Sequence, residues 1–536
     1  MFALLGTRAL WLQLVSDKFL QRQGEARHVR TLELPAARGR IADRNGEVLA
    51  ASLPVKAVWA VPERVLEAPA DKRRELAELL GMSEPGLHRK LDSDRSFVYL
   101  KRQVELATVD RIVALGIAGI ETRKESKRYY PQAELTSHLV GFTSVEDAGQ
   151  EGMELAHQAK LVGTHGARRV IRDRLGRVVE DLGSTLAARD GQELILAMDR
   201  NLQHIVSTHL KAAVDKHQAK AGGVVVLDVR SGEVLALANL PNYDPNDRRG
   251  LTGAQLRNRV LTDTFEPGSV MKPFTIALAL ERGLVTADTV IETGPGRLVI
   301  GSASIGDASR HGALTVSQVL EKSSNIGTAK LALRMPPEAM WDLLTSAGFG
   351  QAPQLNFPGI AAGRLRPHRS WKPIEQATIS YGHGMSTSLM QMAQSYLVFA
   401  RDGDTIPVTL LKSDTPPPAR QVLSRQTAHE VRAMMERAAG PQGTAPRARV
   451  PGYRVAGKTS TAHKVAGGKY ANKYVASFVG LAPVSDPRII VAVMVDEPEA
   501  GGHYGGIVAA PVFAAVTQDV LRALNVTPDG PVEDII

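Results

Sequence analysis

Three short runs in this 536-residue chain carry side chains that could do chemistry together: Ser269-Val270-Met271-Lys272, Ser323-Ser324-Asn325 and Lys458-Thr459-Ser460-Thr461. A serine hydroxyl is a weak nucleophile at neutral pH and needs an adjacent base, and residues three apart on a helix share one face. Ser269 and Lys272 have that spacing. Lysine can act as a base only when burial and a second cation lower its pKa, and Lys458 is the candidate for that cation. Ser323 and Asn325 offer a hydroxyl and an amide, groups that both donate and accept, suited to relaying a proton and holding a substrate amide. The third run would present a cation and hydroxyls to a substrate carboxylate, and main-chain amides to an oxyanion. In this order the three runs read as an active-serine acyl-transfer site.

These residues need elements to hold them. Pro267 and Gly268 supply a turn, and Pro273 is tolerated only near a helix start, so Ser269 is expected at a helix N-terminus. Residues 318–322 are in helical register and stop at small polar residues that also favour helix caps, so capping and catalysis are compatible there. The β-branched alternation over 453–462 predicts a strand, with Thr459 and Thr461 on one face and Ser460 on the other. Helices are predicted over 199–219 and over 424–438, the second capped by Ser424. Further strands are predicted over 223–229, 233–238, 475–481 and 489–495, with Arg230-Ser231-Gly232 as a hairpin turn. Five strands from both ends of one domain, with helices between, imply an antiparallel sheet whose motif strand comes from far along the chain.

The serine run lies within Phe265-Glu266-Pro267-Gly268-Ser269-Val270-Met271-Lys272-Pro273-Phe274. With it go Arg38-Gly39-Arg40-Ile41, Asp43-Arg44-Asn45-Gly46, Gly149-Gln150-Glu151-Gly152-Met153-Glu154, Tyr381-Gly382-His383-Gly384 and Tyr504-Gly505-Gly506. On these stretches the chain resembles, over nearly its whole length, a class B penicillin-binding protein, a peptidoglycan D,D-transpeptidase of the cell-division type. The resemblance implies a multidomain α/β and α+β protein. Its parts would be a membrane-anchor remnant at residues 1–22, an elongated noncatalytic pedestal at 23–190 and a serine β-lactamase-like transpeptidase domain at 191–536. It implies Ser269 as the acylated nucleophile, Lys272 as its base, Ser323 and Asn325 as the second motif and Lys458 as the head of the third. Thr459, Ser460 and Thr461 would bind substrate, and the amides of Ser269 and Thr461 would form the oxyanion hole. The implied partners are stem peptides ending in D-Ala-D-Ala, β-lactams, a glycan polymerase and other division proteins. The implied location is the bacterial inner membrane, crossed once, with the catalytic domain in the periplasm. No metal or organic cofactor is implied.

Two positions depart from the family pattern: Ile360, in Phe357-Pro358-Gly359-Ile360, stands where relatives commonly have an acidic residue and is peripheral, and Ser460 is the departure that bears on the site. The third motif is usually Lys-Thr-Gly or Lys-Ser-Gly, and Ser460 stands where glycine is expected. Glycine there lets a ligand lie flat on the strand, and a hydroxymethyl group could obstruct that approach or point to the opposite face.

Composition narrows the alternatives. The chain is too long for one core, and its 43% hydrophobic and 23% charged residues are ordinary for a globular protein. The absence of cysteine excludes thiol catalysis, disulfides and cysteine-bound metals. A net charge of +9 suits anionic surroundings, but only 5% aromatic residues and no recognisable nucleic-acid module argue against a nucleic-acid partner. The apolar start of the chain is interrupted by Arg8 and Gln13 and is shorter than the roughly 20 residues needed to span a bilayer, so it reads as the outer end of an anchor. Arg38, Arg40 and Arg44 read as a solvated basic turn. His383, His463 and His503 lack zinc-site spacing and read as scattered packing or surface residues, and Met434 and Met435 as core. The rival functions are a D,D-carboxypeptidase or β-lactamase-like hydrolase, for which the sequence displays no base to activate water, and a catalytically silent scaffold of wall synthesis.

Overall fold

The computed structural model describes residues 29–172, 178–415, 417–467 and 469–531. The apolar run at 1–22, read as an anchor remnant, lies outside them. The N-terminal part is built on β1 (Ile41–Ala42), β2 (Val48–Ala60), β3 (Val98–Val104) and β4 (Ile120–Tyr129). The long β2 pairs antiparallel with each of the other three. Helices Ala70–Leu79, Glu84–Leu91 and Leu106–Ala114 cover this sheet, burying Leu76, Leu87, Val109 and Ile112. A separate three-stranded sheet joins Val29–Leu34, Gly166–Arg172 and Val178–Leu186.

The basic turn is only partly solvated: Arg40 is exposed and pairs with Glu193, Arg44 is half-buried, and Arg38 is buried, a placement that composition does not reveal. Arg38 and Arg128 are buried and each takes one oxygen of the buried Glu154 carboxylate, its Nε donating at 2.7 Å. Two guanidiniums desolvated around one carboxylate are tolerable only with this pairing and with main-chain acceptors for the remaining donors. Arg38 donates to the carbonyls of Glu154 and Asp147, and Arg128 to that of Gly39. Arg44 reaches into the C-terminal part, donating to Glu233 at 3.1 Å and to the Ala197 carbonyl. Asn45 donates to Asp199, and Asp43 accepts from the Arg200 amide. With β5 (Leu194–Ile195) running parallel to β1, these bonds join the two parts of the chain.

The C-terminal part is a five-stranded antiparallel sheet with helices on both faces. Its strands are β6 (Ala221–Asp228), β7 (Val234–Leu240), β8 (Ala456–Ala466), β9 (Lys469–Ala482) and β10 (Ile489–Asp496), in the order β7-β6-β10-β9-β8. Every residue of β6 and β10 is buried, as central strands covered on both faces require. One face receives helix α1 (Arg200–Lys216), capped by the Asp199 carboxylate, and the C-terminal helix Ala510–Ala523. The other receives α2 (Lys272–Glu281), whose residues from Lys272 to Ala279 are all buried. The predicted five strands and two helices are all present, and Ser424 caps Arg425–Ala439 by accepting from the Thr427 amide. Among the described residues one helical stretch, Gly505–Ala523, is long and apolar enough to cross a membrane, and half of it is buried within the fold.

Candidate active site

The nucleophile candidate stands on a tight turn between the helical layer and the edge of the sheet. Gly268–Met271 forms a short 3-10 helix that runs directly into α2, with Pro273 in the first turn of α2 where its missing N–H costs nothing. Gly268 has φ +60°, donates its amide to the Gly382 carbonyl at 3.1 Å, and is so close to Gly382 that a Cβ on the latter would collide with its main chain. Ser269 is half-buried at this turn, and its hydroxyl has no hydrogen bond among the described residues.

Lys272 is fully buried. Its amine donates to the Ser323 carbonyl at 2.5 Å and to the Ser323 hydroxyl at 3.0 Å, not to Ser269. Burial, reinforced by the nearby Lys458 charge, holds this amine well below the ordinary lysine pKa, while Asp307 acts in the opposite sense. Lys458 is also fully buried, and burial brings it down to about 7. The second cation anticipated from the sequence is therefore beside Lys272, and is itself only partly charged near neutrality.

The second motif links two helices, α3 (Val316–Glu321) and α4 (Asn325–Ala332). Ser323 adopts φ +59°, a left-handed conformation unusual for a residue with a side chain, and in it offers both oxygens to Lys272. The cap of α4 is Ser324, whose hydroxyl accepts from the Gly327 amide at 2.9 Å. Asn325 donates its side-chain amide to the Gly306 carbonyl at 2.9 Å. Asp307, which our sequence reading missed, anchors the turn: it accepts from the Ser324 hydroxyl at 2.6 Å and from the Ile326 amide at 3.0 Å. It belongs to none of the three runs and is 16 residues from Ser323, so no local pattern could have pointed to it.

The third motif lies on β8, the edge strand beside the nucleophile turn. The alternation holds. Thr459 shares a hydrogen bond with Thr444 at 3.0 Å, and Thr461 accepts from the Gly505 amide at 3.0 Å. Ser460 points the other way, against Gly268. Among the described residues β8 has a strand neighbour only in β9, so its other edge can receive an extended ligand.

The histidines are not scattered. Ring contacts run from Tyr381 to His383 (5.2 Å), to Tyr470 (6.2 Å), to His463 (6.0 Å) and to Tyr474 (4.6 Å). They continue to His503, stacked on Tyr474 at 3.9 Å, and to Tyr504 at 4.5 Å. The row ends beside Gly382 and Gly505, the glycines that touch the nucleophile turn and the motif strand. Glu266 ties it to that turn, accepting from the Tyr470 hydroxyl at 3.1 Å and the Gly384 amide at 2.8 Å. Periodicity gave no sign of this row, because its members come from three separate segments.

The family described as penicillin binding protein transpeptidase domain matches residues 222–518, and the penicillin-binding protein dimerisation domain matches 33–196. The chain is 43% identical over 536 residues to a protein of Neisseria gonorrhoeae named probable peptidoglycan D,D-transpeptidase PenA, covering 99% of this chain and 92% of that one. It is 41% identical over 530 residues to the Escherichia coli peptidoglycan D,D-transpeptidase FtsI, covering 98% and 90%. The apo structure of the TP domain from Burkholderia pseudomallei penicillin-binding protein 3 is 54% identical, covers 63% of this chain and 98% of its own, and superposes with a TM-score of 0.59. With a dimerisation domain followed by a transpeptidase domain that carries the serine, second and third motifs in order, the chain belongs to the class B penicillin-binding proteins.

Proposed function

We propose that this protein is a serine D,D-transpeptidase that cross-links peptidoglycan stem peptides, and that Ser269, Lys272, Ser323, Asn325 and Lys458 carry the reaction. Ser269 Oγ forms a bond to the carbonyl carbon between the two terminal D-alanines and gives its proton to neutral Lys272. The C–N bond then breaks, and the proton passes through Ser323 to the departing D-alanine amine. The developing oxyanion rests on the amides of Ser269 and Thr461. Asn325 holds the donor's amide, while Lys458, Thr459 and Thr461 receive its terminal carboxylate, with the main chain at Ser460 as part of the same edge. An amine of a neighbouring stem peptide attacks the acyl-serine, its proton returns to Ser269, and the ester opens. β-Lactams follow the first half and remain attached.

The observation that carries this reading is the buried Lys272 amine, joined to Ser323 and depressed by burial and by Lys458. The likeness to FtsI extends the reading to the division septum, at the inner membrane with the catalytic domain in the periplasm, alongside a glycan polymerase and other division proteins. The domain divisions near residues 22 and 190 belong to the same reading. Product analysis with stem-peptide donor and acceptor strands tests it. Cross-linked dimers with released D-alanine support the transpeptidase; release of D-alanine without dimers would favour a hydrolase, and no release a silent scaffold.

A further inference from the structure

Ser460 is 3% exposed, and its hydroxyl is one of the few buried side-chain polar atoms among the described residues that have no hydrogen-bond partner. Its neighbours Thr459 and Thr461 both have partners for their hydroxyls. The Ser460 hydroxyl instead lies against Gly268, occupying the space that a Cβ on that glycine would take. Gly268 is also packed main chain to main chain against Gly382, to whose carbonyl its amide donates. The turn that precedes Ser269 is thus held against main chain at Gly382 and against one side chain of the motif strand.

A buried hydroxyl without a partner costs free energy that alanine or glycine would not, so the contact is not explained as a source of stability. Its geometric effect is specific. Contact between the Ser460 hydroxyl and Gly268 limits how closely β8 approaches the nucleophile turn. The residues immediately following these two, Thr461 and Ser269, carry the amides proposed to bind the oxyanion. We infer that Ser460 is a positioning residue, a wedge that sets the spacing of these two amides and makes acylation selective for flexible linear donors over rigid bicyclic β-lactams. A linear peptide can rotate its carbonyl to meet donors held slightly apart, whereas a β-lactam carries carbonyl and carboxylate on one fused frame and cannot adjust.

This inference rests on the transpeptidase reading, and the experiment separates the two. Second-order acylation rate constants are measured for a fluorescent penicillin and for a linear D-alanyl thioester donor, in the native protein, Ser460→Gly and Ser460→Ala, with thermal unfolding followed in parallel. The ratio of penicillin to linear-donor rate constants is expected to rise by about tenfold in Ser460→Gly, with Ser460→Ala, which keeps Cβ and loses the hydroxyl, in between. A ratio unchanged in both variants overturns the wedge and leaves the transpeptidase standing, and so does a parallel fall of both rates, the signature of a merely structural role. A native protein that neither donor acylates overturns the transpeptidase reading and the wedge with it.

Discussion

Lys272 and Ser323, 51 residues apart in sequence, share one amine: the lysine donates at 2.5 Å to the serine carbonyl and at 3.0 Å to its hydroxyl. The bond is made with a left-handed backbone at Ser323 and with Lys272 completely buried, two features that would be costly without a function.

Replacing the neutral Lys272 amine by arginine removes the base, because a guanidinium stays protonated throughout the working pH range. The rate of labelling by a fluorescent penicillin is expected to fall by about 10²- to 10⁴-fold, the usual contribution of general base catalysis. Labelling at the native rate would remove Lys272 from the mechanism. In the native protein the rate should rise with pH through the depressed lysine value and then level off.

Lys458 offers a stability test with a defined sign. Its folded pKa of about 7 lies below the ordinary lysine value of 10.5. Between those values the unfolded chain holds a proton that the folded chain has released, so this group's contribution to stability improves as pH rises through that window and is least favourable below pH 7. Lys458→Met should therefore stabilise the protein more at pH 6 than at pH 9, by roughly 2 to 3 kcal/mol. Urea unfolding of both proteins at the two pH values measures the difference. Equal effects at both would mean that Lys458 keeps an ordinary pKa.

Asp307 holds the second motif and opposes the depression of Lys272. Asp307→Asn removes the negative charge that favours the protonated lysine, so the acid limb of the labelling rate should move to lower pH. Asp307→Ala leaves the Ser324 hydroxyl and the Ile326 amide without their acceptor and should cost about 1 to 3 kcal/mol in unfolding experiments. An unmoved acid limb in Asp307→Asn would show that Asp307 does not act on the base.

Far from the site, Glu154→Gln would leave Arg38 and Arg128 buried without a counter-charge. The expected loss is about 3 to 5 kcal/mol, read from the urea midpoint. A loss below about 1 kcal/mol would mean that water reaches the two guanidiniums in solution.

Much of the site was legible in the sequence because its groups lie in short local patterns, a serine and lysine one helical turn apart and a strand read from alternation, as was the helix capped by Ser424 elsewhere in the domain. The five sheet strands followed from the same local signals, and their antiparallel arrangement from the hairpin and the helices between. What could not be read were partners set by the fold alone. Asp307 approaches the second motif from a different loop. Arg38 looks like a surface cation until Glu154 and Arg128 close around it, because charge patterning records composition and not burial. The histidines looked scattered because ring rows built from three segments have no period. Alternation correctly separated Ser460 from its threonine neighbours, yet only the structure reveals that Gly268 lies on the face it occupies.

The most direct measurement is the intact mass of the protein after incubation with a penicillin, followed by peptide mapping. The account predicts one stable acyl adduct, located on Ser269, and none in Ser269→Ala. An adduct on another residue, or its persistence in Ser269→Ala, would contradict it.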